Sequence, residues 1–85
     1  MKIVFNTSQP NAPASLFYSN ALSSINNIIF HDNNYDLYDV ALFMTYDHQN
    51  IMSVKKKYPQ IKIGLIDPRS QDVFNSTNHC DFLIV

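Results

Sequence analysis

Residues 40–66 read VALFMTYDHQNIMSVKKKYPQIKIGLI. Two apolar runs, Val40–Met44 and Lys62–Ile66, flank a stretch with helical spacing. Neither run alternates apolar and polar, as a strand with one wet face would. Continuous Val, Ile, Leu and Phe are what a parallel strand covered on both faces requires. Between them, Ile51, Val54 and Tyr58 fall on one helical face of the segment Asp47–Tyr58. Asp47 is the expected N-cap, Lys55, Lys56 and Lys57 complement the negative end of the helix dipole, and Pro59 ends the helix. The stretch predicts a strand–helix–strand unit, and with it a parallel sheet.

The same reading extends outward. Lys2–Phe5, Asn27–Phe30 and Phe82–Val85 are three further short apolar runs. Pro13–Ser24 carries Ala14, Phe17, Ala21 and Ile25 at helical spacing, with Pro13 at a first helical position. In KIGLIDPRSQ (residues 62–71), Asp67-Pro68 reads as an N-cap followed by a first-turn proline, opening a third helix to about Asn78. Residues 31–39, HDNNYDLYD, are too short for an ordinary helical crossover. A single turn around Tyr35–Tyr38 must serve there. The expected fold is α/β: an open, mostly parallel five-stranded sheet in the order 3-2-1-4-5, with about three helices and right-handed crossovers.

Eighty-five residues make one domain. Hydrophobic residues are 46%, enough for a core, but charged residues are only 15%, which leaves surface suited to another domain or chain. The face of strands 4 and 5 away from the later helices is expected to be under-covered. Its cover would be a missing part of a longer protein or a second copy in a homodimer. The net charge of −1 gives no basic field for nucleic acid. No apolar stretch is long enough to span a membrane, none at the N-terminus resembles a signal-peptide core, and the cytoplasm is the expected location. The single cysteine, Cys80, cannot form an intrachain disulfide.

Ligands of open parallel sheets sit beyond the carboxyl ends of the strands, where the strand order reverses. In the expected order this is the crevice between strands 1 and 4. Asn6, Thr7 and Ser8 would meet Asp67 and Arg69 there, with Thr45 and His48 further along the rim, as are Tyr46, Asp47, His31 and Asp32. The only glycine, Gly64, lies inside a strand, so no glycine loop can cradle a phosphate. His31, His48, His79 and Cys80 have no metal-ligand spacing, so neither a metal nor a cofactor is expected. Ser8 with either His31 or His48 forms no recognisable triad, and the catalytic residues stay unassigned. Tyr35 and Tyr38 flank Asp36 and Asp39, an aromatic–carboxylate patch of a kind that can bind sugar or pack under a loop.

The order of MKIVFN, YDLYDVALFM, KIGLIDPR and CDFLIV resembles the N-terminal Rossmann-like domain of glycosyltransferases of the two-domain GT-B fold. The likeness covers nearly the whole chain, without the first-loop glycines common in that family. It implies the acceptor-side half of a sugar-transferring enzyme, inactive alone, with the nucleotide-sugar donor held mostly by a second, C-terminal domain. Asn6, Thr7, Ser8, Thr45, Asp67 and Arg69 would line its cleft, and His48 is a remote candidate for base. The alternative is a small non-catalytic α/β module that binds a ligand or itself.

Overall fold

A computed structural model of the chain describes residues 1–25, 27–44, 47–66 and 80–84. Five parallel strands form one open sheet: β1 (Ile3–Asn6), β2 (Ile28–Phe30), β3 (Val40–Met44), β4 (Lys62–Ile66) and β5 (Phe82–Ile84). Helix α1 (Pro13–Leu22) joins β1 to β2, and α2 (His48–Lys57) joins β3 to β4. Between β2 and β3 the chain makes only a 3-10 turn, Tyr35–Leu37, as the length of that segment demanded. The expected helix from Pro68 to Asn78, with Asp67 as its cap, lies outside the described residues.

The α/β class and the five-stranded parallel sheet agree with the sequence. The strand order is 2-1-3-4-5 rather than 3-2-1-4-5. β3 therefore pairs directly with β1, Ile3 opposite Val40 and Asn6 opposite Phe43. Burial explains the choice. All five β3 residues are buried, a pattern affordable only at the centre of the sheet, whereas β2 is short and only partly buried, as befits an edge.

The two faces carry separate cores. On one, Phe5, Val40, Leu42, Met44 and Ile66 pack under Ala14, Tyr18 and Leu22 of α1. On the other, Val4, Ala41, Phe43, Ile63 and Leu65 meet Ile51 and Val54 of α2, together with Tyr35 and Ile61. The crossover from β2 passes over β1 on the α2 side, as right-handed connections require once β1 to β2 runs the opposite way.

The inward stripe of α1 differs from the expected one. Ala14 faces in, but Phe17 is 65% exposed and Ile25 49%. Tyr18 and Leu22 pack on the sheet instead, and Ser15 is fully buried. Positions 14, 18 and 22 fit a helical face as well as 14, 17 and 21 do, and the polar atoms of Ser15 and Tyr18 disguised it. The stripe of α2 agrees with expectation: Ile51 and Val54 are buried and Tyr58 packs against the same core.

Candidate functional site

A strand order of 2-1-3-4-5 reverses between β1 and β3. The carboxyl tips of these two strands form the switch point, the usual place for a ligand in such sheets. β4, which Asp67 and Arg69 follow in sequence, is the neighbour of β3 and not of β1. Asp67, Arg69 and Thr45 themselves lie outside the described residues. His48 opens α2, after the tip of β3.

A cavity of about 420 Å³ opens at this point on the α2 side. Asn6 and Thr7 from the end of β1, Asn33 and Tyr35 from the crossover, and Asn50, Ser53 and Val54 from α2 line it. Every described lining side chain is neutral. Amides and hydroxyls both donate and accept, and the buried Tyr35 and Val54 add a small apolar area. With no cation and no glycine among these residues, the cavity is unsuited to a phosphate.

Asn6 is buried, and its amide holds the wall in place. Its Nδ2 donates to the backbone oxygen of Asp32 and to the Tyr35 hydroxyl, both at 2.7 Å. Burial raises the Tyr35 pKa, opposed in part by the bond from Asn6, so the phenol is neutral at physiological pH. Tyr38 donates its hydroxyl proton to the Asp32 carboxylate. That bond raises the pKa of Tyr38 and lowers that of Asp32, which also accepts from the Asn34 N–H at 3.0 Å. The crossover is thus pinned at both of its tyrosines.

Thr7 and Ser8 divide their roles. The Thr7 hydroxyl lies 3.3 Å from the Ser15 hydroxyl of α1 and accepts from the Gln9 N–H at 3.1 Å. Ser8 turns toward the start of α2, its N–H 3.0 Å from Asp47 Oδ1 and its hydroxyl donating to the same oxygen. Asp47 does precede α2, but its side chain makes no capping bond to that helix. Its carboxylate, 3% exposed, ties the β1 loop across to α2, and its Oδ2 is buried with no hydrogen-bond partner among the described residues.

The structure therefore brings Asn6 and Thr7 to the cavity and ties Ser8 to Asp47 beside it. Tyr35, Asn33, Asn50 and Ser53 were not expected at the site. The signal for the last two was present: Asn50, Ser53 and Val54 share one helical face of α2. The signal for Tyr35 was not, since its place depends on the crossover passing over β1. Among the described residues no group of three or more His, Cys, Asp or Glu side chains could hold a metal. Cys80 is half-buried, and burial pushes its thiol up to about 11, far from a reactive thiolate. No described helix is long and apolar enough to cross a membrane. Set against models of protein families, curated proteins and solved structures, the chain matches none.

Proposed function

We propose that this chain is a carbohydrate-recognising α/β domain, the acceptor-side half of a cytoplasmic sugar-transferring enzyme whose nucleotide-sugar donor is held by a second domain. The observation that carries the reading is the neutral cavity at the β1–β3 switch point, lined by Asn6, Thr7, Asn33, Tyr35, Asn50, Ser53 and Val54. Hydroxyl-rich ligands need many uncharged donors and acceptors, and this lining supplies them. The want of a cation or glycine among the described lining residues supports placing the donor's phosphates elsewhere. Phe82 and Leu83, 39% and 43% exposed, offer apolar surface for the second domain or for a second copy of the chain.

A non-catalytic binding module is the second reading. It draws on the absence of any carboxylate, imidazole or amine among the described residues lining the cavity. Titration of the ¹⁵N-labelled chain tests the shared binding claim. Simple glycosides should shift the amides of Thr7, Asn33, Asn50 and Ser53, and nucleotide diphosphates should not. If glycosides leave those amides unmoved, the carbohydrate reading is wrong. Sugar transfer by the chain joined to its donor domain separates enzyme from module.

A further inference from the structure

A second cavity, of about 360 Å³, lies on the same face of the sheet toward its amino edge. Tyr35 borders both cavities and, at 7% exposure, forms a floor between them. One wall of the pair belongs to α2 and the residues just after it. Asn50, Ser53 and Val54 line the first cavity, and Lys57 and Tyr58 the second. Their spacing of three and four residues is one continuous helical face. The opposite wall is the crossover, from Asn33 through Asp36 to Tyr38 and Asp39. The two cavities meet at Tyr35 and follow one another along this face over about 12 Å, at about 1.5 Å per residue from Asn50 to Tyr58, and we take them together as one trough. It exists because residues 31–39 form only a 3-10 turn, where a parallel crossover ordinarily lays a whole helix beside α2.

We propose that this trough binds a linear carbohydrate of more than one ring, an inference that rests on the carbohydrate reading of the first cavity. The second half is chemically different from the first and suits a further sugar unit. Tyr38 and Tyr58, both half-buried, present aromatic surface, on which the apolar C–H face of a pyranose can lie. Tyr35 and Tyr58 already pack with ring centroids 5.5 Å apart, which fixes that surface in place. Around it stand Asp36, Asp39 and Gln60, acceptors and donors for the hydroxyl rim. Asp39 accepts the Lys2 N–H at 2.9 Å, whereas Asp36 is exposed and makes no hydrogen bond or ion pair among the described residues. Lys57 extends its ammonium over the Tyr58 ring, 5.5 Å from the centroid, and offsets part of the charge of the two carboxylates lining the cavity.

The test is a length series on the 85-residue chain. Mono-, di- and trisaccharides of glucose, galactose, mannose and N-acetylglucosamine are titrated in turn, read by NMR. In at least one series the affinity should rise about tenfold from one ring to three. The shifted amides should spread from Asn33, Asn50 and Ser53 to Tyr38, Lys57, Tyr58 and Gln60. Asp36→Asn, at an exposed position, should weaken the trisaccharide roughly threefold and leave the monosaccharide unchanged. Monosaccharide binding with no gain on lengthening in any series overturns the extended site and leaves the first cavity's reading intact. No sugar binding at all overturns both. Saturable binding of tetralysine at Asp36 and Asp39, with no sugar shifting Tyr58, would make the second half a site for basic peptides and overturn the proposal.

Discussion

Asn6 stands at the tip of β1, where its amide joins two parts of the chain that are distant in sequence. Asn6→Ala removes both donors and strands the Tyr35 hydroxyl in a buried setting. A buried polar group left without its partner costs about 1–3 kcal/mol. Urea denaturation should show a loss of that size, and the variant should also lose glycoside affinity, because the wall carrying Asn33 and Tyr35 is no longer pinned. Gly64 is the other residue whose identity is fixed by a neighbour. A Cβ there would clash with Cε2 and Cζ of the Phe82 ring and lie 2.7 Å from Leu42 Cδ2. Gly64→Ala should therefore destabilise by about 1–3 kcal/mol, the cost of an overfilled core, again read by urea denaturation. The sequence marked Gly64 as lying inside a strand, and the physical reason is that the Phe82 ring occupies the space a side chain would take. Asn6 was legible as a residue at a strand tip. Its use as a brace was not, because its partners come from a crossover whose path no local pattern encodes.

At the level of elements, short connections are held by side chains where helices do not hold them. The start of β5 is an example. The Asp81 carboxylate accepts the Ile63 N–H at 2.8 Å and lies 3.3 Å from Lys55 Nζ, while the Asp81 N–H donates to the Ile63 oxygen at 2.8 Å. Lys55 also donates to the Ile61 oxygen at 2.8 Å, so one lysine of the α2 terminus anchors the entry to β4. The lysine run thus does more than complement a helix dipole. The backbone bond from Ile63 is the main cause that lowers the Asp81 pKa below its ordinary 3.8, with Lys55 adding to it against a desolvation cost. A carboxylate held lower in the folded state stabilises the fold above pH 3.8, and that contribution is lost as the pH falls through the lowered value. Asp81→Asn keeps an oxygen for the Ile63 N–H but removes the charge. Its deficit against the parent chain in thermal melts should be constant near neutral pH and shrink as the pH drops below 3.8. A deficit that does not change with pH would assign the effect to geometry alone. Elements themselves were readable from the sequence where apolar runs were continuous, as in β3 and β4. The face of α1 was misread because Tyr18 and Ser15 bury polar atoms, and hydrophobic spacing is blind to them.

For the whole molecule, strand order decides which residues meet. The apolar runs specified five strands and parallel pairing, but each run is compatible with several neighbours. The cue that separates the orders is quantitative. Val40–Met44 is apolar at every position, so both its faces must be covered, while Ile28–Phe30 is brief and bracketed by Asn27 and His31, both with positive φ. A strand at the centre needs the first pattern and an edge tolerates the second. In the order 3-2-1-4-5, β3 would lie at an edge with one row of its backbone groups open to water. In the observed order it is bonded on both sides, to β1 and to β4. Amide hydrogen exchange distinguishes the two, because backbone groups buried between two strands open only with the whole core. The amides of β3 should be the slowest to exchange, near the rate set by global unfolding, and those of β2 and β5 markedly faster. Protection of β3 no greater than that of β2 would mean that β3 is not the central strand. The switch point would then leave the β1–β3 junction, and the carbohydrate trough along α2 would lose its place beside the tip of β1.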